Sequence, residues 1–142
     1  MFEKEIDIRL AEITDYPWLE KHDDDIDSII IKKKIVEKEI FLVLKNNEII
    51  GWLRYNYFWD DIPFITHLWL LDGYRKMGIG TKLLNYWEEI MKTNGHKVVL
   101  TSTQKTREFA QQFYKKRGYT EIGGFHFLDE PYEILYLKKI IE

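Results

Sequence analysis

The residues whose types and spacing are best suited to chemistry lie in one short segment, Tyr74–Thr81, which reads YRKMGIGT. Its two glycines, Gly78 and Gly80, let the backbone approach a ligand closely and turn its N–H groups inward. A helix that begins in this segment adds N–H donors and a partial positive charge. Three cations lie in or beside the segment: Arg75, Lys76 and Lys82. The segment therefore predicts an anion site that suits a pyrophosphate.

The glycine pattern narrows the kind of pyrophosphate ligand. A P-loop requires GxxxxGK followed by Ser or Thr, which the sequence lacks. A dinucleotide-binding fingerprint requires GxGxxG, but Gly78-Ile79-Gly80 continues as Thr81-Lys82-Leu83, so the third glycine is missing. On the motif alone, a glycine-rich turn that only joins a strand to a helix remains an alternative.

The residue types available to the chain exclude several mechanisms. The sequence has no cysteine, which excludes a thiolate nucleophile, disulfides and cysteine-ligated zinc. Its four histidines are never three or four residues apart and no HExxH occurs, so we expect no metal site. The formal net charge of −3 argues against nonspecific binding of nucleic acid, which relies on a basic surface.

The elements that must position this segment follow from hydrophobic periodicity. The predicted strands are Ile6–Leu10, Ile40–Leu44, Gly51–Phe58, Phe64–Leu71, Lys97–Thr101, Tyr119–Ile122 and Glu133–Lys138. Four helices are predicted. The first can be capped by Thr14 and Asp15 and ends at Glu20, and the second is capped by Asp27 or Ser28 and reaches about Glu39. The third and fourth helices are Gly78–Thr93 and Lys105–Arg117. Asn46-Asn47 predicts a tight turn. This order predicts an α/β protein with a mixed sheet flanked by helices.

Two of the predicted helices have an apolar face. Leu83, Leu84, Trp87, Ile90 and Met91 form one such stripe. The other helix has Phe109, Ala110, Phe113 and Tyr114 on one face.

The composition is that of a globular domain, with 45% apolar and 32% charged residues among 142. This length fits a single domain over residues 1–142. No apolar run approaches the roughly 20 residues needed to span a bilayer, so we expect no membrane partner. Met1–Glu5 lacks the basic start and apolar stretch of a signal peptide, so we expect a cytoplasmic protein.

Two blocks of the sequence resemble the GNAT family of N-acetyltransferases. Leu68–Leu84 is similar to motif A, roughly L-x-V-x-P-x-Y-R-G-x-G-I-G, although Asp72 stands where proline is frequent and Lys76 where glycine is frequent. Ala110–Tyr119 is similar to the family's A-x-x-F-Y-x-x-x-G followed by Phe or Tyr, with Arg107 where asparagine is frequent. The resemblance implies a small bacterial-type GNAT domain, its mixed sheet splayed between the fourth and fifth strands. It also implies acetyl-coenzyme A as cosubstrate.

The resemblance further implies which residues hold the coenzyme. The coenzyme would lie in a V-shaped gap between strands Phe64–Leu71 and Lys97–Thr101. Its pantetheine arm would pair with the backbone at Leu68 and Leu70. A backbone N–H near Leu68 would hold the thioester oxygen, and N–H groups of the glycine segment would hold the pyrophosphate. The full implied set is Leu68, Trp69, Leu70, Arg75, Lys76, Met77, Gly78, Ile79, Gly80, Thr81, Gln104, Arg107, Phe113 and Tyr114.

The implied chemistry is direct attack by a primary amine in a ternary complex, since no cysteine is available for an acetyl-enzyme. Tyr114, which matches the family's FY tyrosine, is the predicted general acid toward the departing thiolate, because a phenol with a pKa of about 10 suits a thiol. A core-packing tyrosine is the alternative. The candidate general bases are Asp60, Asp61, His67 and Glu121. His67 also fits a hydrogen-bonded core residue.

Two acidic segments favour a cationic acceptor, either a small molecule or a peptide amine. They are His22–Asp27 and Trp59–Asp61, and the aromatic residues Tyr55, Tyr57 and Phe58 precede the second. Alternatively, the acids only cap a helix and form a solvated turn, and the aromatics are a buried sheet face. Two rival classes are a noncatalytic coenzyme-A-binding regulator on the same fold and a dinucleotide-binding domain. Both a monomer and a homodimer remain open.

Overall fold

The computed structural model describes residues 5–141, and these form seven strands, four α-helices and a 3-10 turn at Ile13–Asp15. The strands are β1 (Ile6–Leu10), β2 (Ile40–Lys45), β3 (Glu48–Phe58), β4 (Ile62–Leu70), β5 (Val98–Gln104), β6 (Thr120–Phe125) and β7 (Glu133–Lys139). The helices are α1 (Tyr16–His22), α2 (Ser28–Val36), α3 (Ile79–Thr93) and α4 (Glu108–Lys116). Residues 1–4, on which much of the signal-peptide expectation rests, lie outside the described residues.

The strands form one mixed sheet in the order β1-β2-β3-β4-β5-β7-β6. The pairs β1–β2, β2–β3, β5–β7 and β6–β7 are antiparallel. Strands β4 and β5 are parallel, with Phe64 opposite Leu100 and Ile65 opposite Thr101. The predicted mixed α/β class is therefore confirmed, whereas the splay between β4 and β5 stays a prediction.

Several predicted boundaries shift for identifiable reasons. Helix α2 ends at Val36 rather than near Glu39, because Lys38 adopts a left-handed φ of 61° before β2. Strand β5 runs on to Gln104, which pairs with Glu133 of β7. The next residue, Lys105, donates its backbone N–H to Tyr132, so α4 begins only at Glu108. The contacts of Gln104 and Lys105 join residues far apart in sequence, so local hydrophobic periodicity does not predict them.

Asp15 does not cap α1 as predicted. No side-chain hydrogen bond from Asp15 caps that helix. Its carboxylate instead accepts bonds from the Arg9 guanidinium at 2.7 and 3.0 Å and from the Glu12 backbone N–H at 2.7 Å. The hydrogen bonds from Arg9 are the main reason that the pKa of Asp15 lies below its usual range. In contrast, Asp27 does cap α2, accepting from Ile29 N–H at 3.3 Å.

The described chain divides into two compact units. The first contains the residues up to Tyr55 together with His67–Trp87, and the second contains Asn56–Thr66 and the residues from Glu88 onward. Strands β3 and β4 and helix α3 each contribute residues to both units. None of the helices in the described residues is both long and apolar enough to cross a membrane.

The core of the first unit forms where α1 and α2 cover β2 and β3. Its buried residues are Ala11, Leu19, Ile31, Ile35, Ile40, Leu42, Leu44 and Trp52. The Trp52 ring stacks on Trp69 with centroids 4.9 Å apart and meets Trp18 edge-on at 5.9 Å. This packing fixes the last residues of β4, from which the glycine segment departs.

The second unit packs aromatic rings around β7. The Tyr114 ring lies 5.2 Å from that of Tyr119 and 6.4 Å from that of Tyr136. Beside them Glu88 is buried, accepting from the Tyr119 hydroxyl at 2.7 Å and the Lys138 ammonium at 2.8 Å. Burial, above all, and the charge of Glu88 raise the pKa of Tyr119 far above its ordinary value. The network therefore joins α3 to β7 through a satisfied buried charge.

Candidate active site

The segment between β4 and α3 has the backbone of an anion-binding loop. Gly73, Lys76 and Gly78 have left-handed φ values of 91°, 61° and 80°, separated by residues without positive φ. Such alternation turns successive N–H groups toward one side of the chain. Lys76 occupies the position where motif A often has glycine. Its left-handed φ explains why glycine is frequent there, because glycine adopts this conformation without strain.

Helix α3 begins directly after Gly78. The first turn closes when Lys82 N–H donates to the Gly78 carbonyl at 3.1 Å. By helix geometry, the N–H groups of Ile79 and Gly80 have no acceptor within the helix. A Cβ built on Gly78 would meet no atom within 4 Å, so the space beside this turn is open. The residues present therefore fit the pyrophosphate of a coenzyme, which the N-terminal N–H groups and the helix dipole would stabilise.

Arg75 does not extend from the loop as a free cation. Its Nε donates to the Leu70 carbonyl at 3.0 Å, and Nη1 lies 3.4 Å from the Asp72 carboxylate. Its guanidinium also lies over the Trp69 ring, 5.1 Å from the centroid. Arg75 thus holds the loop against the end of β4. The resemblance implied that backbone groups of Leu68 and Leu70 pair with the pantetheine arm, and the Leu70 carbonyl already accepts this hydrogen bond from Arg75.

Tyr114 lies in the second unit, where its hydroxyl is hydrogen-bonded to Thr101 of β5. Thr101 in turn donates to the Ile65 carbonyl at 3.3 Å, at a point where β4 and β5 pair. Burial raises the pKa of Tyr114 to about 12. The side chain therefore keeps its proton at neutral pH and is held beside the β4–β5 junction.

The predicted apolar face of α4 is only partly buried. Phe109 is 64% exposed, and among the α4 residues only Tyr114 is buried. The four residues share one helix face as predicted, but that face is not buried along its whole length. Phe113 is partly buried under the Arg117 guanidinium, which lies 4.1 Å from its ring centroid.

The other two candidates in the second unit are near the end of β5. Gln104 donates from Nε2 to Glu130 at 3.1 Å, and its carbonyl accepts from Arg107 N–H at 2.9 Å. The side chain of Arg107 is exposed just before α4. Both residues are thus structured, and their contact with a coenzyme stays a prediction.

The first acidic segment encloses a buried ion pair that sequence reasoning missed. The Arg54 guanidinium donates to both oxygens of Asp23, at 2.8 Å from Nε and 3.3 Å from Nη2, and both residues are buried. His67 lies beside this pair, with Trp52 Nε1 at 3.1 Å from its Nδ1 and Asp25 at 3.3 Å from its Nε2. A signal was available in the lone arginine within the apolar run GWLRY, because a buried charge requires a partner.

The second acidic segment is the tip of the β3–β4 hairpin. Trp59 and Asp60 have φ values of 57° and 59°, and Asp61 N–H donates to the Phe58 carbonyl at 3.1 Å. Two consecutive left-handed residues match the twist that a two-residue hairpin requires. Trp59 is 79% exposed, and Asp60 and Asp61 are exposed too. The tip presents an aromatic ring and two carboxylates to solvent.

A model of the acetyltransferase (GNAT) family matches residues 5–119 of the chain. The chain belongs to the GNAT family. The Streptothricin acetyltransferase A of Bacillus subtilis (strain 168) is 30% identical over 101 residues, which cover 70% of this chain. The match covers 57% of that relative, so the chain spans little more than half the length of the curated protein it resembles.

Solved GNAT structures share the fold. An acetyltransferase of the family from Bacillus cereus ATCC 10987 has a TM-score of 0.79 at 24% identity, with 96% of this chain and 99% of that chain covered. Arabidopsis thaliana Naa50, in complex with the bisubstrate analogue CoA-Ac-MVNAL, has a TM-score of 0.78 at 18% identity, with 95% and 99% covered. The family relationship predicted from motif A and the FY block is therefore confirmed.

Within this GNAT chain, the candidate coenzyme residues fall in both units. Leu68–Thr81 belong to the first, and Gln104, Arg107, Phe113 and Tyr114 to the second. The candidate bases are likewise divided, with His67 in the first unit and Asp60 in the second. Thr101, which holds the Tyr114 hydroxyl, is a further residue that the sequence did not single out.

Proposed function

We propose that this GNAT protein transfers an acetyl group from acetyl-coenzyme A to a primary amine. The observation that carries the proposal is the loop from Gly73 to Gly78, whose left-handed residues lead into the N-terminus of α3. Backbone N–H groups gathered in this way are suited to a pyrophosphate. The relatives' names support the reaction, since the Bacillus subtilis protein is a streptothricin acetyltransferase.

In the proposed site, the N–H groups of Met77, Gly78, Ile79, Gly80 and Thr81 bind the pyrophosphate. Lys76 adds a positive charge at the exposed side of the loop. The backbone of β4 from Leu68 to Leu70 binds the pantetheine arm, and an N–H near Leu68 stabilises the oxyanion of the thioester. Arg75 contributes by holding the loop.

Tyr114 is the proposed general acid. Its pKa of about 12 keeps the phenol protonated until the amine displaces the thiolate, although it makes the phenol a weaker acid than the pKa of about 10 expected from the sequence. The reaction is a direct attack, because the chain has no cysteine to form an acetyl-enzyme. The amine loses its own proton to a base or to water, and Asp60 on the exposed hairpin tip is a candidate for that role.

The proposed acceptor is a cationic small molecule or peptide amine. Asp25 and the Asp60–Asp61 pair are exposed carboxylates, and Trp59 offers an exposed aromatic face. Carboxylates attract a positive charge, and an aromatic face adds cation–π attraction. Two acceptor classes are represented among the relatives, streptothricin and the peptide part of CoA-Ac-MVNAL.

The test is a thiol-release assay with acetyl-coenzyme A and a panel of acceptors. The panel contains streptothricin, polyamines, aminoglycosides, amino acids and short peptides with free N-termini. We expect turnover with at least one cationic amine, and thermal protection by coenzyme A but not by a nicotinamide dinucleotide. Protection by coenzyme A without turnover of any acceptor would instead favour the noncatalytic regulator. Absence of protection would refute the coenzyme site itself.

A further inference from the structure

His67 is the centre of a hydrogen-bonded group within the first unit. Its Nδ1 lies 3.1 Å from Trp52 Nε1 and 3.4 Å from Arg54 Nη2. Its Nε2 lies 3.3 Å from the Asp25 carboxylate. Arg54 is fixed in turn by its buried ion pair with Asp23. The ring of His67 is therefore held from both of its nitrogen atoms.

The neighbours of His67 determine its tautomer. An indole N–H and a guanidinium can only donate hydrogen bonds, so the Nδ1 that both of them face must be an acceptor. The ring proton of neutral His67 then lies on Nε2, which is 3.3 Å from the Asp25 carboxylate. Trp52 and Arg54 are both buried, so water does not readily replace Nδ1 as their acceptor.

This arrangement conflicts with the sequence-based assignment of His67 as a candidate general base. A base must take the proton at the nitrogen that carries the lone pair, which is Nδ1. Protonation there would set a new N–H against the Trp52 donor and against the Arg54 cation. The other nitrogen, Nε2, already carries the ring proton and faces the Asp25 carboxylate.

Resting on the proposed function, we propose that His67 is a positioning residue for the acceptor side rather than the general base. Its Nε2–H holds Asp25, whose side chain is 62% exposed, and with it the segment that joins α1 to α2. Asp23 is fixed from the same side by Arg54. The acidic segment is thus tied at two points to β3 and β4, which gives its carboxylates a defined place.

The same side chains do not make a convincing metal centre. Asp23, Asp25 and His67 each offer an atom within 4.8 Å of the others. However, both oxygens of Asp23 accept hydrogen bonds from Arg54, and the guanidinium charge would oppose a cation. The hydrogen bonds and ion pairs described above form a positioning network that does not require an ion.

The experiment compares two substitutions of His67 with a matched control. A glutamine side chain is uncharged at every pH yet offers both an acceptor and a donor, so His67→Gln keeps both kinds of hydrogen bond. His67→Phe keeps an aromatic ring but can neither accept nor donate a hydrogen bond through its side chain. His126→Gln, at an exposed position of the second unit, is the control. Amine and acetyl-coenzyme A parameters are measured across pH, and the tautomer of the free protein is read from histidine 15N shifts.

We expect His126→Gln to keep kcat and the pH profile of the parent protein. His67→Gln should keep the acidic limb of that profile and rescue most of the amine affinity that His67→Phe loses. His67→Phe should raise the KM for the amine by about tenfold or more, the size expected when a hydrogen bond to a charged group is lost. Its KM for acetyl-coenzyme A should not change. The 15N shifts should report a protonated Nε2 and an unprotonated Nδ1.

Three results would each overturn this inference while leaving the proposed function intact. The first is a His67→Gln enzyme whose kcat falls by about 10²–10⁴-fold with loss of the acidic limb, as expected for a general base. The second is a folded His67→Phe enzyme with an unchanged amine KM, and the third is a protonated Nδ1 in the active parent protein. A parent protein that turns over no amine would refute the proposed function, and the acceptor role of His67 with it.

Discussion

Replacing Tyr114 with phenylalanine tests the chemistry of the proposed site most directly. The substitution removes one hydroxyl and keeps the ring, which packs against Tyr119 and Tyr136. If the hydroxyl is the general acid, kcat should fall by about 10²–10⁴-fold. That range corresponds to about 2.7–5.4 kcal/mol of transition-state stabilisation. Affinity for acetyl-coenzyme A should barely change, because the loss concerns the transition state.

The fold should tolerate this change. The variant loses the hydrogen bond between Tyr114 and Thr101, which costs about 0.5–1.5 kcal/mol. Thr101 is not left unpaired, because its hydroxyl donates to the Ile65 carbonyl at 3.3 Å. Tyr136→Phe is a matched control, since it removes a buried hydroxyl that accepts from Thr103 in the same unit. We expect the control to keep most of its activity.

The raised pKa of Tyr114 gives the same variant a signature in stability. Below pH 10 the phenol is protonated in both the folded and the unfolded chain. Between pH 10 and 12 the unfolded phenol ionises while the folded one, with a pKa of about 12, keeps its proton, so stability falls as pH rises. Two pKa units correspond to about 3 kcal/mol. Urea unfolding at pH 9 and pH 11 should therefore show the stability gap between the parent protein and Tyr114→Phe narrowing.

The reasoning fails under two results. One is a folded Tyr114→Phe enzyme with a kcat near that of the parent protein, measured where chemistry limits turnover, which would return Tyr114 to a packing role. The other is a pH–rate profile whose basic limb lies below pH 10 in the parent protein and disappears in Tyr114→Phe. Such a limb would mean that Tyr114 titrates below pH 10, whereas a phenol with a pKa of about 12 does not.

Three further variants test other parts of the molecule. Gly80→Asp adds a negative charge in the first turn of α3, so acetyl-coenzyme A affinity should fall at least about tenfold by calorimetry; unchanged affinity in a folded variant would refute the cradle. Asp60→Asn with Asp61→Asn should raise the KM for a cationic amine, and added salt should weaken that effect; a neutral or anionic best acceptor would contradict the charge argument. Gly51→Ala places a Cβ less than 3 Å from the Trp69 carbonyl, so the free energy of unfolding should fall by about 1–3 kcal/mol in a urea titration; an equally stable variant would show that β3 and β4 do not approach so closely.

Local signals in the sequence were sufficient for most of the fold. The Asn46-Asn47 turn has the left-handed φ values of 51° and 67° that its composition predicted. The end of α3 at Thr93 likewise agrees with the predicted helix Gly78–Thr93. The errors fall where a distant strand decides the outcome, as when β7 extends β5 to Gln104. A pairing between residues far apart in sequence leaves no trace in local periodicity.

The candidate site was predictable to the same extent. The glycine loop could be read from the sequence because every participating group is contiguous. The contacts of His67 could not, because Trp52, Arg54 and Asp25 come from separate elements and meet only in the fold. The resemblance identified Tyr114, but not Thr101, since nothing in the FY block refers to the strand it faces.

The cations of the loop illustrate why residue type alone is a weak guide to the binding of phosphate groups. Arg75 donates from Nε to the Leu70 carbonyl and lies 3.4 Å from Asp72 through Nη1, so part of its role in the proposed site is to shape the backbone. Lys76 holds a left-handed φ of 61°, a conformation that costs a non-glycine residue about 1–2 kcal/mol. In the proposed site, the charge of the exposed Lys76 would offset that cost once an anion is bound, because it adds a full charge to the partial charges of the N–H groups. The proposed pyrophosphate site therefore depends first on the conformation of Gly73–Gly78 and only then on side-chain charge.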